Sequence, residues 1–164
     1  MTQRTRIVIA LALLLAIVLA VFAVDWLRQQ NAARAQATLP PGAVPIYLDS
    51  KLRGGFQPTD LERLQKVSFT EPAEGKVQEG WLVRDVLQLY IDIGKLKPAS
   101  SITVSSSSRG KSAELTWAEV GNPANWVMFD LSNRGTLKLV STLEKLDERE
   151  EWVQDADRIE VQRQ

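Results

Sequence analysis

The chain has no cysteine and no histidine. Those two absences remove disulfides, thiol nucleophiles, imidazole acid–base pairs, Ser-His triads and nearly all transition-metal sites. A lipoprotein tether, which needs a cysteine, is excluded as well. Carboxylates, lysine, arginine, serine and two tyrosines are what remains for chemistry. Neither sign of charge dominates, with 20 basic against 20 acidic residues. All the acids lie at or after Asp25 and only Arg4 and Arg6 among the bases precede it, so the part beyond carries −2. A nucleic-acid partner is therefore not expected, because it calls for a concentrated basic face. There is no internal repeat, and no low-complexity stretch beyond the serines at 105–108.

What the chain does have is one long apolar run. Residues 7–24, IVIALALLLAIVLAVFAV, contain no charge, Pro, Gly or hydroxyl. As a helix this run measures about 27 Å, close to the hydrocarbon core of about 30 Å. Trp26 and Leu27 extend it, with the indole at headgroup level, and Arg4 and Arg6 hold the N-terminal flank in the cytoplasm. The expectation is a cytoplasmic segment at 1–6, a single-pass signal anchor at 7–27, a stalk at 28–43 and an extracytoplasmic domain at 44–164. In a cell with two membranes that places the anchor in the inner membrane and the domain in the periplasm. The membrane-interface residues are then Arg4, Arg6 and Trp26. The alternative is a signal peptide cut near Val21-Phe22-Ala23, against which the run is longer than the usual 7–15 residues.

About 120 residues remain for the domain, enough for a core without disulfides or metal. The stalk is rich in Ala, Gln and Arg and reads as helical until Leu39-Pro40-Pro41-Gly42 stops it, forming a stiff hinge. Val44 to Leu48 alternate as a first strand, and Arg53-Gly54-Gly55 reads as a turn. Thr59 with Glu62 suggests a capping box at the head of a short helix, followed by a strand around Val67 and Phe69. Trp81 to Ile93 carries apolar residues at three- and four-residue spacing and reads as the main helix, closed by Gly94. From Ser100 the period becomes two. Ile102 and Val104 pair with Ala113, Leu115 and Trp117 as a hairpin, then come strands at 127–131 and 137–140. Trp152-Val153 and Ile159-Glu160-Val161 close the core. The fold class expected is α+β: a transmembrane helix plus one small mixed α/β domain with a mostly antiparallel sheet.

The order of these segments resembles the oxidoreductase molybdopterin-binding domain, the sulfite-oxidase-like family. The resemblance rests on Gly80-Trp81-Leu82-Val83-Arg84-Asp85-Val86-Leu87, the hairpin from Ile102 to Trp117, Gly135-Thr136-Leu137-Lys138-Leu139-Val140, and Trp152-Val153 followed by Ile159-Glu160-Val161. It covers roughly residues 55–162. The family implies a sulfite-oxidase-like fold and a molybdopterin cofactor whose metal is held by a cysteine thiolate. This chain departs from the family there, since it has no such ligand. The resemblance implies a scaffold that has lost its chemistry.

No catalytic, cofactor-binding or metal-binding residue is therefore assigned, and no cofactor is expected, with molybdopterin as the alternative. The acidic run at Glu144, Asp147, Glu148, Glu150 and Glu151 fits no calcium-loop spacing and reads as solvated surface. Residues 105–110, SSSSRG, offer either an anion nest beside Arg109 or a plain hairpin tip. Trp81, Trp117 and Trp152 sit in core patterns. Trp126, at a loop-to-strand junction, marks a candidate recognition surface with Arg134 and Arg109. The functional expectation is a non-catalytic module that binds a membrane or exported protein, or a small ligand. The alternative is a pterin-binding component of a membrane-associated oxidoreductase.

Overall fold

The computed structural model describes residues 39–71 and 75–164, together with Val18, Leu19, Val21 and Phe22. Those four are helical and exposed. The rest of the expected anchor at 7–27, and of the stalk up to residue 38, lies outside the described residues. Among the described residues, no helix is long and apolar enough to cross a membrane.

One compact unit runs Leu39–Gln164, starting ahead of the expected Val44. Its opening residues are tied to the fold: Ala43 donates to the Pro40 carbonyl at 3.1 Å and the Gln57 amide donates to the Pro41 carbonyl at 2.9 Å. The expected hinge at 39–42 is thus part of the domain.

Among the described residues, ten strands form two five-stranded sheets. The first contains β1 (Val44–Leu48), β2 (Lys51–Phe56), β5 (Ser101–Ser106), β6 (Lys111–Thr116) and β10 (Arg158–Gln162), in the order β2-β1-β10-β5-β6. Its pairs are antiparallel except β1 with β10, which are parallel with Ile46 opposite Ile159. The second contains β3 (Val67–Thr70), β4 (Val77–Leu82), β7 (Met128–Leu131), β8 (Leu137–Val140) and β9 (Val153–Gln154), in sequence order and wholly antiparallel. Within the described residues of Leu39–Gln164, two short α-helices, α1 (Val83–Gln88) and α2 (Trp117–Gly121), join strands. The architecture is mixed α/β with two mostly antiparallel sheets and few helices.

Strand alternation builds the core. Ile46, Phe56, Ile102, Val104, Leu115, Ile159 and Val161 from the first sheet share one buried cluster with Trp81, Phe129, Leu139 and Val153 from the second. Burying each such side chain is worth about 1.5–3 kcal/mol. The second sheet also carries a smaller cluster of Phe69, Leu82, Met128, Val140 and Trp152. By register these side chains project from the face opposite Phe129 and Leu139. A sheet apolar on both faces is what gives the unbroken run Trp81-Leu82-Val83.

Several local expectations are corrected. Trp81 and Leu82 end β4 rather than opening a helix, and α1 stops at Gln88, with only a 3₁₀ turn at Ile93–Lys95 beyond. Trp117 begins α2 instead of ending a strand, because Thr116 and Glu119 form a capping box, with the Thr116 N–H donating to Glu119 Oε2 at 2.6 Å. Arg53-Gly54-Gly55 lies within β2. The hairpin turn is Asp49-Ser50, whose φ angles of 50° and 64° are those of the tight type that matches strand twist. The cap before residue 58 falls on Gln57 with Asp60, not on Thr59 with Glu62, and the helix is a 3₁₀ turn, Pro58–Arg63. The single sheet expected is two.

One glycine is fixed by a close approach. A Cβ on Gly80, in mid β4, would stand 1.9 Å from the Phe129 carbonyl oxygen of the neighbouring strand. No side chain fits there without parting β4 from β7.

Candidate functional site

The outer face of the second sheet carries a row of polar residues across its middle. Asp130 on β7 stands opposite Lys138 on β8, which stands opposite Gln154 on β9. Gln78 projects from the same face of β4, and the buried Glu71 follows β3. Above this row opens a cavity of about 540 Å³, walled further by the β7–β8 turn and by Trp152 and Asp155. That volume lies within the range of small-ligand sites.

Lys138 is the centre of the row. Its ammonium lies 2.8 Å from Asp130 Oδ2, donates to Gln78 Oε1 at 2.9 Å, and sits 4.9 Å from the centre of the Trp152 ring. The Lys138 and Asp130 side chains are only 21% and 13% exposed. The Gln78 amide in turn donates to Glu71 Oε2 at 3.3 Å. Trp152 is locked by its indole N–H, which donates to the Leu146 carbonyl at 3.0 Å. A half-buried cation is tolerated here because each of its donor directions meets an oxygen or an aromatic face.

Asp155 organises the rim. It follows β9 in the left-handed region at φ 55°, which a short polar side chain tolerates when local bonds hold it. The Thr136 hydroxyl donates to Oδ1 at 2.7 Å, Arg109 Nε to Oδ2 at 2.7 Å, and Arg134 Nη2 to both oxygens at 3.0 and 3.3 Å. The Thr136 bond first, and the two guanidiniums after it, hold the carboxyl below its ordinary value. Within the β7–β8 turn the Ser132 hydroxyl accepts the Arg134 and Thr136 backbone N–H groups, so the turn that presents Arg134 is itself fixed.

Of the three residues expected to mark a recognition surface, Arg109 and Arg134 meet on one carboxylate, and Arg134 lines the cavity. Trp126 does not join them. It sits at φ 48° after a 3₁₀ turn, partly buried, with its ring 6.3 Å from that of Phe69 against the smaller apolar cluster. The serine-rich tip does bind anions, but they belong to the chain. The Ser107 N–H donates to Asp157 Oδ2 at 2.9 Å, the Ser107 hydroxyl bonds the same oxygen, and Arg109 takes Asp155. The residues not anticipated are Gln78, Asp130, Lys138 and Asp155. Only the alternation of 128–131 and 137–140 hinted that Asp130 and Lys138 share a face.

The molybdenum centre that the resemblance implies does not suit this donor set. The cavity wall offers carboxylates, amides, hydroxyls and cations, and the chain has no thiolate to hold a soft metal. Among the described residues there is no group of three or more acidic side chains placed to hold a metal ion. What the arrangement does offer is a rigid, polar concavity able to make directed hydrogen bonds. No family model, curated protein or solved structure matches the chain.

Proposed function

We propose that this protein is a membrane-anchored, extracytoplasmic and non-catalytic relative of the sulfite-oxidase-like molybdopterin-binding domains, acting as a ligand- or protein-binding assembly module. Three things support this reading. The apolar run at 7–24 with its basic flank supplies the anchor. The segments that carry the resemblance fall mostly on scaffold, on a glycine that packs between strands and on β8, β9 and β10, while Thr136, Lys138 and Trp152 within them line the cavity. The absence of thiol and imidazole leaves the scaffold without the family's metal ligand.

The observation that carries the binding role is the outer face of the second sheet. Placing Asp130, Lys138 and Gln78 on a sheet face costs desolvation, yet they are held in register beside a cavity of ligand size.

The test is to purify the full chain in mild detergent and measure molybdenum, pterin fluorescence after denaturation, and co-purifying proteins. The expected result is no molybdenum or pterin, with a stable partner or added ligand retained. Near-stoichiometric molybdenum or pterin would overturn the non-catalytic assignment in favour of a pterin-binding oxidoreductase component. Protease protection of the domain in sealed vesicles with the cytoplasmic side outward tests the orientation. A mature chain starting near Val24 would remove the anchor.

A further inference from the structure

We infer that the free edge of β3 pairs with the same strand of a second copy of this chain, joining two second sheets edge to edge in a two-fold dimer. The inference draws on neither the cavity nor the anchor.

β3 stands at one end of the second sheet, with β4 as its neighbour on one side. The Glu71 N–H donates to the Lys76 carbonyl at 2.8 Å, which fixes the phase of this ladder. Antiparallel pairs alternate between bonded and non-bonded, so Val67 and Phe69 turn their backbone groups to β4 while Ser68 and Thr70 turn theirs outward. Both outward residues are exposed, and among the described residues their backbone N–H and C=O groups have no partner. The other three sheet edges are blunted. On β6 the Glu114 carbonyl takes Lys145 Nζ at 3.0 Å, and the Thr116 N–H takes Glu119 Oε2. β2 is interrupted by a bulge at Arg53, and β9 has only 2 residues. β3 has none of these devices: its ladder is regular, and it holds no charge and no proline. Such an edge is a template for another strand.

The side chains along the edge decide which strand fits. Val67 and Phe69 lie on the outer face, where the Trp126 ring stands 6.3 Å from that of Phe69, and Val67 and Trp126 are only partly buried. Trp126 keeps this place at φ 48°, a conformation that bulky side chains rarely adopt. An added strand must lay alternate apolar side chains along this face. β3 itself does so. With the two-fold axis at Ser68, Ser68 meets its own copy, Lys66 meets Thr70, and Val67 meets Phe69 in both directions. The outward backbone groups then face one another, as a bonded ladder requires. A slip of two residues sets Val67 against Glu71 or Phe69 against Gln65, so one register is favoured over its neighbours. The pairing consumes the open edge of each copy and closes at the dimer.

The experiment measures the mass of the full chain in mild detergent by light scattering over a dilution series, with cysteine trapping beside it. The expected result is a dimer that dissociates on dilution, since one short edge makes a small interface. The chain has no cysteine, so Ser68→Cys supplies a single thiol, and opposite Cα atoms about 5.5 Å apart suit a disulfide. Mild oxidation should link Ser68→Cys at least about fivefold more than Ser112→Cys on the edge of β6. Thr70→Pro removes an outward N–H and leaves the β4 ladder whole, and Ser68→Lys sets two ammonium groups face to face. Each should give monomer at concentrations where the original chain is dimeric, with a thermal midpoint near the original. A monomer at every concentration overturns the inference, as does equal trapping at positions 68 and 112. A foreign chain trapped at position 68 overturns it too, and so does a dimer that survives either substitution in folded protein. Should both substitutions unfold the chain, the trapping comparison decides.

Discussion

The second sheet has two faces built from the same strands, and they solve different problems. Trp81, Phe129, Leu139 and Val153 point toward the first sheet and are sealed in the main cluster. One residue along each strand, Asp130 and Lys138 point the other way into a polar cavity. The inner face is held by area removed from water, which is additive and indifferent to direction. The outer face adds to its smaller apolar cluster a polar row held by a few directed bonds, each dependent on the next. A period-two strand can therefore carry a stable scaffold and a selective surface at once, provided that the register never slips.

The sharpest way to break this comparison is Phe129→Ala. It empties the inner face and should cost about 3–5 kcal/mol in denaturant unfolding of the full chain. A loss below about 1 kcal/mol would mean that the sheets are not packed through this ring. Next comes the outer row. Asp130→Ala strands Lys138 in a half-buried position and should cost about 2 kcal/mol, and adding Lys138→Ala should recover part of that loss. If the two changes simply add, the pair is not coupled and the face is less organised than described.

The rim gives a smaller effect that depends on pH. Because the folded protein holds the Asp155 carboxyl below its usual value, the unfolded chain takes up that proton first as pH falls. The stabilisation is complete above the unfolded value of about 4 and drains away as pH drops through the lower, folded one. Melting curves should show part of the acid destabilisation disappear in Asp155→Asn, and an unchanged acid slope would count against the rim. The smallest effects belong to Val77→Ser and Leu131→Ser, at positions 67% and 43% exposed. Each should move stability by no more than about 0.5 kcal/mol, so that any larger effect on ligand retention reads the surface alone.

The sequence announces the inner face far better than the outer. Ile102, Val104, Ala113 and Leu115 alternate cleanly, and so do Leu137 and Leu139, because one side of each strand must be apolar. Where both sides are apolar the signal fails. Trp81-Leu82-Val83 has no period of two, so β4 and the start of α1 merge into one long apparent helix. The Thr116/Glu119 cap was written in the chain as T-x-x-E but was masked by the strand pattern that runs into it. Arg109 and Arg134 stood out as charged residues near turns. Asp155 did not, since its partners lie 46 and 21 residues away and nothing local distinguishes it from other acids. Pairing across strands creates the site, and that pairing is non-local.

The position of β10 has a consequence for how this protein is made. It lies between β1 and β5, paired on both edges, so the first sheet has a gap at its centre until residues 158–162 arrive. Its arrival joins Leu48 to Val161, and Arg163 then clasps Asp49 through a bond of 2.7 Å from Nε. Synthesis or transport that delivers the chain from its front end must deliver nearly all of it before this sheet can close.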